Sequence, residues 1–194
     1  MDEVFLPDIN NDFPVLETTN LRLVKVDSSF VNDIFEYASD QEVTRFVIWP
    51  RHKTLQDTSA FLYGWLEDVY ERNVPNWAMI HKQDEKMIGT AGYSMIDLDN
   101  YFGEIGVVVH KRYWHQHLGG EAAKKIISYG FEKMHLHRIQ ARTFAENTAS
   151  RRSLEEVGFV LEGIRRHAHF RENRFLDEAI YAILKDEWDA GKTI

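Results

Sequence analysis

The 194-residue sequence contains no cysteine, which excludes disulfides, thiolate metal sites and cysteine nucleophiles together and fits a reducing compartment. Four prolines and eleven glycines are too few for a collagen-like or low-complexity chain. Long apolar runs are also missing. The longest covers residues 179–184, far short of the roughly 20 residues that a membrane helix needs. Residues 1–7 hold no basic region and no apolar stretch, so a secretory signal is not expected and a cytoplasmic protein is. Positive charge is in deficit, with 23 Lys and Arg against 31 Asp and Glu, a net charge of -8. Such a surface repels phosphate and disfavours nucleic acid and anionic membranes as partners. No P-loop, no Gly-x-Gly-x-x-Gly fingerprint and no Gly-x-Ser-x-Gly elbow occurs, which removes the main support for nucleotide-triphosphate, dinucleotide and serine-hydrolase readings.

What is present has the balance of an ordinary globular protein, 44% hydrophobic and 28% charged, and the length predicts one domain over 1–194. Residues 21–26 read as a strand, after which Asp27, Ser28 and Ser29 offer caps for a helix with Phe30, Ile34 and Ala38 on one stripe. Thr54 with Asp57 three residues on resembles a capping box, ahead of a second amphipathic helix reaching about Glu71. Strands are expected at 77–80, 86–96 and 101–110, a helix at 118–134 and a strand at 138–143. A short helix from Asn147 or Thr148 ends at a Gly158 cap, and strands at 159–171 and 174–184 complete the chain. The order predicts an α/β (α+β) fold with a mixed, mainly antiparallel central sheet flanked by helices.

Two stretches carry chemistry. In the first, a strand through Gly103, Glu104, Ile105, Gly106, Val107, Val108 and Val109 leads to a polar loop, Trp114-His115-Gln116-His117, which opens a helix at Leu118-Gly119-Gly120. Free amides and the helix dipole make such a start an anion site, and glycines let a phosphate approach the backbone; the alternative is a tight turn. The second is Asn147-Thr148-Ala149-Ser150, ending at Gly158-Phe159 and Glu162-Gly163, where capping alone explains Asn147 and Gly158.

In combination these stretches resemble the GNAT superfamily of acyl-CoA-dependent N-acyltransferases, within it the RimJ/RimL group that acetylates ribosomal-protein N-termini and other amines. The likeness runs from Glu17 to Trp188. The Trp-Gly-Lys-Gly-x-Ala form of the family loop aligns with Trp114 to Gly119, so His115 and His117 stand where that form has glycines. Histidine is among the non-glycine residues found more often at positive φ, which accommodates the change. The resemblance implies acetyl-CoA as acyl donor, a GNAT-like single domain and no metal. It implies main-chain pairing of the pantetheine arm with Val107, Val108 and Val109, and amides of His115, Gln116, His117, Leu118, Gly119 and Gly120 around the pyrophosphate. Asn147 would contact the pantetheine, and Ser150 would stand near the sulfur as general acid.

Glu104 is a carboxylate in an apolar strand; either it faces solvent at an edge, or burial raises its pKa and it takes the proton of an ammonium acceptor. His169 is the competing base. Glu104 is preferred because a carboxylate also attracts a cationic amine. The pairs His115/His117, His135/His137 and His167/His169 read as surface histidines, with a metal site on the last pair as a weaker alternative. Of the aromatics Phe46, Trp49, Trp77 and Tyr93 most are expected in the core, and Trp49, in a breaker-rich loop, is the one placed nearest the acceptor. Acidic clusters at 8–12, 67–71 and 97–104 are expected either to line the acceptor side or to be solvated. The reading is direct transfer of an acetyl group to a primary amine of a protein N-terminus, polyamine or other small molecule, with a homodimer left open. The alternative is a non-catalytic CoA-binding module on the same fold.

Overall fold

The structure, a computed structural model, describes residues 3–191; Met1 and Asp2, on which the N-terminal reading partly rests, lie outside them. Eight strands form one sheet: β1 (Leu16–Glu17), β2 (Leu21–Lys25), β3 (Asn76–His81), β4 (Lys86–Asp97), β5 (Phe102–Val109), β6 (Arg138–Phe144), β7 (Val160–Arg171) and β8 (Arg174–Leu184). The helices are α1 (Val31–Ala38), α2 (Gln41–Thr44), α3 (Leu55–Glu71), α4 (Leu118–Glu132), α5 (Thr148–Val157) and α6 (Lys185–Gly191). The mixed, mainly antiparallel expectation holds. Short β1, α2 and α6 are additions, because elements of two to seven residues leave too little periodicity to read.

Local chemistry sets the long helices. At α3 the Thr54 hydroxyl accepts from the Asp57 amide at 3.1 Å while the Asp57 carboxylate accepts from the Thr54 amide at 2.9 Å, a reciprocal capping box. Helix α4 buries Ala122, Ala123, Ile126, Ile127 and Phe131 against one face of the sheet, each large apolar side chain contributing about 1.5–3 kcal/mol. Trp77 and Tyr93 belong to that core, as expected. A second, smaller core lies on the opposite face, where α1, α2 and α3 cover Ala78, Ile80 and Met87 of β3 and β4.

The strands lie in the order β1-β2-β3-β4-β5-β6-β8-β7. Among the described residues only β5 and β6 run parallel, joined by the crossover through α4. Their pairing covers Phe102↔Arg138, Gly103↔Ile139 and Glu104↔Gln140, and among the described residues it goes no further. From Ile105 onward β5 therefore has a partner on its β4 side alone. No described helix is long and apolar enough to cross a membrane.

Candidate active site

Where two parallel strands part, their carboxyl ends frame a crevice, and the loops that follow them stand at its mouth. Here one wall is the second half of β5 with the loop into α4. His110 donates its amide to Ile88 O at 2.7 Å, so in the alternating antiparallel pattern Val108 turns its backbone groups to β4, while Val107 and Val109 turn theirs to the opening. The close approach of Val108 O, 2.1 Å from where a Cβ of Gly89 would stand, agrees and requires glycine there. The expectation that Val107, Val108 and Val109 all present main-chain groups is thus corrected: Val108 is committed to β4, and Val109 O already accepts from Trp114 Nε1 at 2.8 Å.

The loop itself takes left-handed backbone at His115 (φ 62°) and His117 (φ 57°), the conformation that glycine adopts without cost. His117 is the N-cap of α4 and makes no side-chain capping bond. The first helical bond is Glu121 N to His117 O, so the amides of Leu118, Gly119 and Gly120 precede the hydrogen-bonded ladder and the positive helix end is open. Gln116 turns its side chain back to Arg112 O. Leu118 is buried and can offer only its amide. Below the loop Tyr113 donates to Asp84 at 2.5 Å; burial and that carboxylate push the phenol up to about 12.

Helix α5 forms the neighbouring wall. A Cβ on Gly120 would lie 3.7 Å from Val157 and 3.9 Å from Ser153, which puts the first turn of α4 against α5. Asn147 caps α5 by accepting from the Ser150 amide at 3.2 Å, and Gly158 ends it in left-handed conformation. Ser150 is half-buried in the first turn, and the two Asn147 amide protons are not used by the cap.

On the face opposite α4, β5 to β8 carry a polar row. Glu104 is 7% exposed and accepts from Arg142 Nη2 at 2.7 Å, Gln140 Nε2 at 2.7 Å and Ser94 Oγ at 3.0 Å. Burial pushes its carboxyl up, but the hydrogen bonds from Arg142 and Gln140, the Arg142 charge and Ser94 outweigh it and hold the group below the usual carboxylate range. The expectation of a raised Glu104 pKa is therefore reversed, because the parallel register brings Gln140 alongside and Arg142 one step further.

Next in the row is Glu178, 4% exposed. It meets Arg165 Nη1 at 2.8 Å, Arg142 Nη1 at 3.8 Å and His169 Nε2 at 2.8 Å. The His169 ring stands edge-on to Phe144, 5.2 Å between centroids, at the end of β6. Phe46 also approaches Phe144, with ring centroids 6.4 Å apart, and Arg171 ties the β7–β8 hairpin to Thr44 O and Val47 O at and after α2. Phe46, not Trp49, is the loop aromatic beside the row; Trp49 packs on His52 and Phe61 as part of the second core.

Glu178, Arg142, Gln140 and Arg165 were not singled out from the sequence. The legible signal was a glutamate on the same strand face as Leu176 and Ile180, at the head of the apolar run. His167 and His169 do not form a same-face pair: β7 shifts register between Arg165 and His169, His167 is left-handed, and its ring stacks on Phe175. Of the acidic clusters, the 97–104 stretch brings Glu104 to this row, while three other members are engaged elsewhere. Asp8 accepts from Asn10 and Asn11 in its own turn, Asp68 pairs with Arg72, and Asp97 caps the turn at the start of β5, the end away from the α4 loop.

Residues 20–160 match the acetyltransferase (GNAT) domain family. The chain is 30% identical to the uncharacterized N-acetyltransferase p20 of Bacillus licheniformis over 173 residues, 89% of this chain and 97% of that protein. It is 26% identical to the ribosomal-protein-serine acetyltransferase of Escherichia coli (strain K12) over 139 residues, 71% of this chain and 76% of that protein. The crystal structure of a GNAT family acetyltransferase from Bacillus anthracis superposes with a TM-score of 0.79 at 27% identity, covering 89% of this chain and 99% of that one. The chain belongs to the GNAT acetyltransferase family, whose members are N-acetyltransferases with acetyl-CoA as acyl donor.

Proposed function

We propose that this enzyme acetylates the primary amine of a protein or peptide N-terminus, with His169 as the base and the crevice beyond Glu104 as the acetyl-CoA site. The observation that carries the reading is the parting of β5 from β6 beside a long helix whose N-terminus has no side-chain cap. Acetyl-CoA supplies an acetyl group activated as a thioester. The chain offers an anionic diphosphate the amides of Leu118, Gly119 and Gly120, with His115 and His117 shaping the turn. Val107, with the remaining amide of Val109, offers an extended arm the edge of a strand, and Asn147 stands at the start of α5 with its amide protons available.

An ammonium group must lose a proton before it attacks. Glu178 at His169 Nε2 holds the ring proton on that nitrogen and leaves Nδ1 as the acceptor, and it stabilises the imidazolium once the proton has moved. Glu104, held ionised by Arg142 and Gln140, is poorly matched to the base role. It fixes Arg142, which bridges to Glu178, and so acts as a positioning residue. The amine then attacks the thioester carbonyl, and as the C–S bond breaks the Ser150 hydroxyl gives its proton to the departing sulfur and recovers one from the nitrogen of the tetrahedral intermediate. The Escherichia coli relative's name, a ribosomal-protein-serine acetyltransferase, supports a protein acceptor. Incubating the enzyme with isotopically labelled acetyl-CoA and free N-terminal peptides, with N-terminally blocked copies as controls, tests the reading by mass spectrometry. Label on the blocked peptides alone, or none on any amine while CoA binds, contradicts it; the second result would mark a binding module.

A further inference from the structure

Glycine weakens a strand, so each one inside the sheet asks for a reason. Close neighbours supply it at three positions. A Cβ on Gly89 would meet Val108 O at 2.1 Å, on Gly92 the Asn76 side chain at 2.3 Å, and on Gly103 the Tyr93 ring at 2.7 Å. Gly163 sits at a register shift of β7 against β8. A Cβ on Gly106, as on Gly163, would meet nothing within 4 Å, and its φ lies outside the left-handed region, so neither packing nor backbone conformation demands glycine; unlike Gly163, it lies in a regular stretch of pairing, opposite Gly92. It is also exposed although β5 is an interior strand of the eight, between buried Ile105 and half-buried Val107. Alternation puts it on the Glu104 face, two residues past the last pairing with β6. An exposed, unhindered glycine in mid-sheet leaves the crevice open on the face that carries Glu104, Glu178 and His169, opposite the α4 side where Val107 and Val109 pack.

We propose that Gly106 sets the width of the acceptor passage. The side chain it lacks leaves room for the substituents of an amine carried on a branched carbon, as the α-amine of a peptide is. A straight-chain amine, with only a CH2 next to the nitrogen, does not need that room. The inference rests on the transfer reading above and names the residue that selects among amines within it.

The experiment compares wild type, Gly106→Ala and Gly106→Val. For each, kcat/KM is measured with a free N-terminal peptide and with the same peptide blocked at its N-terminus and carrying one lysine, and CoA affinity by calorimetry. Expected is a peptide kcat/KM lowered about tenfold or more by Val, which adds three carbons, and less by Ala, which adds one, on the scale that added carbons command in a fitted site. The wild-type preference for the free N-terminus then shrinks, with CoA affinity and melting temperature unchanged. Equal losses on both acceptors, no loss with Val, a loss that tracks CoA affinity, or a wild type that prefers lysine would overturn the assignment of Gly106. A wild type inactive on every amine would overturn the transfer reading, and this one with it. An active wild type with an unaffected Val variant would remove Gly106 alone.

Discussion

The two halves of β5 use the same kind of sequence for opposite ends. Phe102, Gly103 and Glu104 are paired on both sides, and Glu104 is surrounded by three donors from two other strands. Val107 and Val109 are paired on one side, and the loop they lead to ends in amides that no side chain caps. In the first half the protein satisfies its own polar groups; in the second it leaves them for a ligand, which is tolerable only where water or substrate can take their place. A carboxylate in the satisfied half is a structural group, and chemistry belongs to the open half and the residues facing it.

That contrast can be broken or sharpened by substitution. The largest effect is expected from Gly120→Asp, which puts a negative charge at the open helix end where a Cβ has ordinary space. CoA affinity measured by calorimetry should fall on the order of 10³-fold, since an opposed like charge costs several kcal/mol; unchanged affinity in a folded variant would place the coenzyme elsewhere. Ser150→Ala comes next, with kcat lower by about 10²-fold and acetyl-CoA affinity within a few-fold of wild type; full activity would leave Ser150 a helix residue.

The smallest effect belongs to the satisfied half. Glu104→Gln should cost roughly 1–3 kcal/mol of stability through the Arg142 and Gln140 bonds it disturbs, read from denaturant unfolding. The folded pKa of Glu104 lies below its ordinary value of 4.5. Its contribution is therefore complete above that value and is lost as pH falls through the lowered one. The stability gap between wild type and Glu104→Gln should narrow as the medium is acidified below about pH 4.5. A gap that widens instead would mean that burial outweighs the Arg142 pair.

Local signals were legible in the sequence and distant pairings were not. Thr54 with Asp57 marked the start of α3, Gly158 the end of α5, and the Leu118-Gly119-Gly120 start of α4 was visible because caps and glycines act within a few residues. The positive φ of His115 and His117 follows from the loop alignment. The fate of Glu104 did not show, since periodicity gives a side chain's face and not its neighbours, and Gln140 and Arg142 arrive 36 and 38 residues later through a parallel register. Glu178 was hidden for a similar reason: three of its partners come from β6 and β7. Trp49 looked like a cleft residue because its loop is irregular, yet its ring is taken up by His52 and Phe61.

The claim that chemistry faces the open half rests most directly on which group takes the acceptor's proton. The pH dependence of kcat/KM with a free N-terminal peptide, measured for wild type, His169→Ala and Glu104→Gln, decides it. The account predicts that His169→Ala lowers kcat/KM by about 10²-fold and abolishes the acidic limb of the profile, while Glu104→Gln keeps that limb. Loss of the limb in Glu104→Gln together with its survival in His169→Ala would contradict the account and return the base to the paired half of β5.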